Sequence, residues 1–257
     1  MATVLARESL LKRSIRSIIL AFALTALAVA GGSLSASAVE RAQDAKVFGS
    51  GDSELKPDCG PKPNDSCTAI GSTTVFTNLL GDKEDPFRAP ADGRIVAWAV
   101  ELGHKPSDKD GSDGDDISNL EFYQDLFGSD RYGKGPVARL AILKRQSGVQ
   151  YKLVDQSPAV KLSGPFYNKD TVITLDQPLP IKEGEVVGLT SLTWVPTVRS
   201  KGRGGGKAGY RASIPRESGC DIQDEIDARP HKRLDSVREY GCKFDSRLFY
   251  KAYFVPN

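Results

Sequence analysis

The chain is short of the residues from which metal centres and nucleophilic active sites are usually built. Its two histidines, His104 and His231, are not in ligand spacing and no Cys-x-x-Cys pair occurs, so a zinc site has no ligand set. There is no Gly-x-Ser-x-Gly elbow, and a serine or cysteine nucleophile lacks an evident base. Both histidines read as exposed loop residues. The glycine-rich run 202–206 leads into Lys207, Ala208 and Gly209 rather than Gly-Lys-Ser/Thr, which excludes a P-loop. Membrane-spanning length is missing too: the apolar run at 18–30 has 13 residues, against the roughly 20 that cross a hydrocarbon core.

That run has the setting of a secretory leader. Arg7, Lys12, Arg13 and Arg16 precede it and Ala36-Ser37-Ala38 follows, so residues 1–38 read as a signal peptide cut after Ala38. The expected product is secreted and extracellular, with no transmembrane segment after cleavage. The residue directly after the cut is Val39, not a cysteine that could take a lipid anchor. The leader holds four of the 35 Lys and Arg and one of the 33 Asp and Glu, leaving 31 cations against 32 anions in residues 39–257. A near-neutral chain lacks the positive field of a nucleic-acid protein, so no nucleic-acid partner is expected.

Cys59, Cys67, Cys220 and Cys242 all lie in the exported part, where thiols oxidise. Four cysteines allow three pairings. Proximity favours Cys59 with Cys67 and Cys220 with Cys242, each closing a short loop in a segment without core residues of its own.

Residues 39–58 are mostly polar or small and read as a flexible linker, with a β-sandwich domain over 59–257. Period-two alternation predicts strands. In 95–102, Val96, Trp98, Val100 and Leu102 share one face, which makes Trp98 a core residue. Residues 137–144 and 149–154 form a hairpin about Gly148, with Val149, Tyr151 and Leu153 alternating with Gln150 and Lys152. Further strands are expected at 72–80, 171–175 and 186–194. Pro178 and Pro180 confine their stretch to an edge or a loop. The aromatic-rich 247–255 belongs inside a sheet. One short helix starts at the capping-box-like Ser118-Asn119-Leu120-Glu121 and ends at Gly128. The sum is a mainly β fold, an antiparallel β-sandwich of jelly-roll-like type with one short helix and charged loop insertions.

Three charged segments are candidate sites. Asp108, Asp110, Asp113, Asp115 and Asp116 gather hard oxygen ligands in a glycine-containing loop suited to calcium, although neither register fits an EF-hand. No other cofactor is expected. Arg199, Lys201, Arg203, Lys207 and Arg211 line a basic loop, 199–211, that suits an anionic partner. Between Cys220 and Cys242, interspersed opposite charges and Pro230 suggest a surface excursion pinned by the disulfide. Catalysis has little support. If a glycosidase-type carboxylate pair exists, Glu101 with Asp125 or Glu121 is the first choice.

Pro90-Ala91-Asp92-Gly93-Arg94-Ile95-Val96-Ala97-Trp98, with Leu179-Pro180-Ile181-Lys182-Glu183-Gly184-Glu185-Val186-Val187-Gly188-Leu189, resembles a turn-and-strand pattern of uncharacterised exported β-sandwich proteins of high-GC Gram-positive bacteria. The resemblance implies a jelly-roll-like fold and no assigned reaction. The expected function is therefore a non-catalytic module binding a polysaccharide or other cell-envelope component. The alternatives are a carbohydrate-active hydrolase with dispersed carboxylates and a structural envelope protein that binds other proteins.

Overall fold

Short alternating segments separated by glycine, proline and aspartate turns leave no stretch for a long helix, and strands dominate the structure. The computed structural model describes residues 45–49, 54–58, 68–103, 135–221, 224 and 228–257. Of these, 53% are in strands and 6% in helical turns, none of seven residues or more. The leader, Cys59, Cys67, His104, the acidic loop 108–116 and the helix expected at 118–128 lie outside the described residues.

In chain order the strands are β1 (Lys46–Gly49), β2 (Thr74–Leu80), β3 (Lys83–Glu84), β4 (Gly93–Val100), β5 (Val137–Ser147), β6 (Gln150–Gln156), β7 (Val160–Lys161) and β8 (Thr171–Ile181). They continue with β9 (Val186–Ser191), β10 (Val198–Ser200), β11 (Ala208–Ala212), β12 (Val237–Glu239), β13 (Cys242–Phe244), β14 (Ser246–Leu248) and β15 (Tyr250–Pro256). One antiparallel sheet has the order β1-β15-β4-β8. A second, of nine strands, runs β12-β6-β5-β9-β2-β11-β13, with β3 on β2 and β7 on β5, and it curls into a half-barrel. β10 and β14 form a separate ribbon.

The two main sheets pack face to face as an antiparallel β-sandwich around one apolar cluster that includes Trp98, Tyr250 and Phe254 from the first and Val75, Leu140 and Leu189 from the second. Each such side chain contributes roughly 1.5–3 kcal/mol by leaving water. Tyr250 crosses the interface: its hydroxyl donates to Val187 O at 3.1 Å and its ring stacks on Phe87.

Alternation along β2 then assigns the second sheet's two faces. Thr77 N–H lies against the Tyr250 hydroxyl, whereas Thr74 meets Thr190 and Phe76 packs on Tyr151 and Tyr240 inside the curl. That inner face is covered by the segment 228–240, so all six residues of β9 are buried.

Most strands stand where alternation places them. The 145–149 turn is tighter than expected, a two-residue loop of Gly148 and Val149 with Gly148 at φ +49°. β8 runs on through Pro178 and Pro180, and it lies at the sheet edge, where a missing N–H breaks no ladder bond. β15 lies inside its sheet between β1 and β4.

Four expectations are corrected. Register shifts opposite Val96 mark a bulge, which puts Ile95 rather than Val96 on the Trp98 face and leaves Val96 half-buried. Lys46–Gly49, expected in the linker, is an edge strand on β15, with Phe48 stacked on Phe254. The basic loop is shorter than 199–211, because β10 ends at Ser200 and β11 begins at Ala208. A Cβ on Gly205 would stand 2.6 Å from Arg199 O, so that glycine serves a close backbone approach. The segment between Cys220 and Cys242, a disulfide-bonded pair with Cα atoms 5.3 Å apart, is not a mere surface excursion, since β12 pairs with β6 and both His231 and Tyr240 are buried.

Candidate binding groove

Cross-strand register gathers a polar groove at the open rim of the curled sheet. In antiparallel pairs, directly opposed residues share a face. Arg211 on β11 opposes Phe76 on β2 and Lys243 on β13, and Arg145 on β5 opposes Tyr151 on β6. Phe76, Tyr151 and Tyr240 pack into an aromatic cluster with ring centroids 4.9–5.6 Å apart, and of the three only Tyr151 lines the groove. Above it opens a groove of about 280 Å³ lined by Asn78, Glu84, Asp85, Arg145, Tyr151, Arg211 and Lys243, among others.

The groove's polar groups are oriented and only partly bonded. Arg145 Nε donates to Gly148 O at 2.8 Å across the hairpin turn, and Arg211 Nη1 donates to Tyr240 O at 3.2 Å. Asp85, at φ +44°, pairs with Arg88. Asn78 Oδ1 is buried and meets no donor among the described residues. Tyr151 is 4% exposed, and its hydroxyl makes no hydrogen bond to any described residue. Burial, then the Asp85 carboxylate, pushes the Tyr151 phenol up, while Arg145, Arg88 and Arg211 pull it down less strongly. At neutral pH Tyr151 therefore presents an O–H to the groove.

A larger cavity, about 350 Å³, adjoins the disulfide and is lined by Ser213, Asp224, Arg229, Arg238 and Glu239. Its polar groups are already bonded: Glu239 Oε1 accepts from Arg216 N–H at 3.0 Å, Arg238 donates to Arg229 O, and Asp224 Oδ2 accepts from Asp221 N–H at 3.1 Å. The smaller groove is the better candidate because the Tyr151 hydroxyl and the buried Asn78 carbonyl there lack partners among the described residues.

The sequence-derived candidates are dispersed. Of the five basic residues, only Arg211 lines the groove. Lys207 pairs with Asp82 at 2.8 Å, which holds the Asp82 carboxyl below its usual range, Lys201 approaches Asp245 at 3.7 Å and Arg203 approaches Asp58 at 3.8 Å. Arg199 donates to Arg203 O and Lys56 O. Glu101 is 7% exposed and faces the Lys56 ammonium at 2.7 Å, while Glu121 and Asp125 lie outside the described residues. Trp98 and Trp194 are both core residues, so neither offers a flat face to a sugar. Sequence reading missed Asn78, Arg145, Tyr151 and Lys243 as a set, and no local motif marks them. The only trace was the alternation that set Tyr151 on one face with Val149 and Leu153.

His231 is corrected from exposed to fully buried. Its Nε2 lies 3.1 Å from Ser236 O, an acceptor, so Nε2 carries the proton and Nδ1 accepts from the Tyr240 hydroxyl at 3.1 Å. Burial, aided by Arg238, lowers its pKa from 6.5 to about 4. The unfolded chain therefore takes up a proton below pH 6.5 that the folded state refuses until about pH 4, and stability present above that window is lost as pH falls through it. Between pH 7.5 and pH 5 the expected loss is about 2 kcal/mol in urea denaturation. The histidine assignment fails if His231→Gln has the same slope over this window.

Compared with protein-family models, with curated proteins and with solved structures, the chain matches none.

Proposed function

We propose that this protein is an exported, non-catalytic β-sandwich module that binds a polysaccharide or other cell-envelope component, and that the rim groove is its binding surface. The observation that carries the reading is the Tyr151 hydroxyl, which makes no hydrogen bond to a described residue, and the buried, unpartnered Asn78 Oδ1, set among charged side chains from separate strands. Groups of this kind are stabilised when a ligand supplies their missing hydrogen bonds. A polyhydroxylated ligand offers both donors and acceptors. The signal-peptide-like leader supports an extracellular ligand. Asp108, Asp110, Asp113, Asp115 and Asp116 are the proposed calcium ligands if binding requires the ion.

The test is retention of the secreted protein on purified cell walls and on insoluble polysaccharides, with calcium or chelator, while reducing sugar is assayed in the supernatant. Retention without sugar release is expected, and Tyr151→Phe should weaken it several-fold. Sugar release would instead establish the hydrolase. Failure to bind any wall or polysaccharide would reject the reading in favour of a structural, protein-binding role. Loss of retention with chelator alone would implicate the acidic loop.

A further inference from the structure

Resting on the groove as the binding surface, we infer that its ligand is an acidic saccharide, held by a carboxylate on the sugar ring against Arg145, Arg211 and Lys243. Elsewhere, basic side chains such as Lys56, Arg88, Lys152, Lys201, Arg203, Lys207 and Lys251 have a carboxylate within ion-pair distance. Arg145, Arg211 and Lys243 form no ion pair with any described residue, yet the register of β5, β11 and β13 brings all three to one groove. Each arginine is anchored through one nitrogen, to Gly148 O or Tyr240 O, which leaves the rest of its planar fork for a ligand. The Tyr151 hydroxyl adds a neutral donor to the groove.

The balance of charge points to a carboxylate rather than a phosphate. Among the lining residues the three cations face Glu84 and Asp85, and Asp85 is already paired with Arg88. This modest positive excess suits one monoanion, while Glu84 repels a second charge. A planar carboxylate also matches a guanidinium fork. Glu84 supplies an acceptor for hydroxyl groups, which a simple organic acid would leave unused. The groove, about 280 Å³, lies at the small end of ligand sites, which span about 300–1,000 Å³, and so takes one sugar residue of a longer chain.

The experiment is calorimetric titration of the secreted full protein with a galacturonate oligomer, a neutral galactan oligomer of equal length and inorganic phosphate, each at low and high salt. The galacturonate oligomer is expected to bind at least tenfold more tightly than the neutral one and to weaken as salt rises. Phosphate should not compete. Arg145→Gln and Lys243→Gln should each cost the acidic oligomer about tenfold, a larger loss than either causes for the neutral oligomer. Equal binding of both oligomers would overturn the carboxylate inference yet keep the groove as a saccharide site. Tight phosphate binding that the variants abolish would overturn it in favour of a phosphorylated ligand. Absence of binding by either oligomer would overturn this inference, and retention on intact walls would then tell whether the broader reading survives.

Discussion

Replacing Trp98 with alanine is expected to destabilise the fold by about 4 kcal/mol, the scale of a large aromatic truncation in a packed core. Trp98 is fully buried at the centre of β4, opposite Ala252 on one side and Ile173 on the other. Neighbouring strands pin both flanks, so the site has little freedom to collapse around the lost ring. Trp98→Phe is expected to cost much less. The Trp98 Nε1 is buried without an acceptor among the described residues, and removing that unsatisfied donor offsets part of the lost volume. Urea denaturation of the three proteins checks the order. An unchanged midpoint for Trp98→Ala with lost saccharide retention would mean that Trp98 is a ligand platform and not a core residue.

Removing the Cys220–Cys242 disulfide through the double substitution C220S/C242S is expected to cost about 3 kcal/mol, since the bridge closes a loop with a sequence separation of 22. The loop carries more than its own residues. It contains β12, which is an edge strand on β6, and it carries His231 and Tyr240, which seal the inner face of the curled sheet over Thr74 and Phe76. Cys242 is also one residue from Lys243, so loosening this edge should weaken the groove along with the fold. Equilibrium unfolding at pH 7.5 checks the stability. If the midpoint stays at the wild-type value, the segment is held by β12 pairing and the His231 network alone, and the cross-link contributes nothing.

Parts of the architecture were legible because their causes are local. Trp98, Val100 and Leu102 turn inward because strand side chains alternate. Gly148 makes the hairpin turn because it accepts a positive φ. Pro178 and Pro180 mark an edge because proline donates no hydrogen bond. The Cys220–Cys242 pair was favoured by proximity and is formed. Other parts were not legible. The bulge opposite Val96 depends on how β15 and β8 register against β4, and those strands lie far along the chain. Lys46–Gly49 has too little apolar pattern to announce a strand, and becomes one because β15 offers an unpaired edge and Phe254 a surface for Phe48. His231 is polar in a charged segment, and its burial follows from Ser236 and Tyr240 satisfying both ring nitrogens.

The groove marks the division most clearly. The sequence by itself determined that the chain is mainly β, that its strands are short and antiparallel, and which side chains face inward on most of them, because pleat period and turn chemistry act within a few residues. The tertiary structure alone decided that Asn78, Arg145, Tyr151, Arg211 and Lys243 meet. Their meeting depends on which strand lies beside which and in what register. Strand order and register are set by packing across the whole sandwich, where a slip of one residue would turn every one of those side chains to the opposite face.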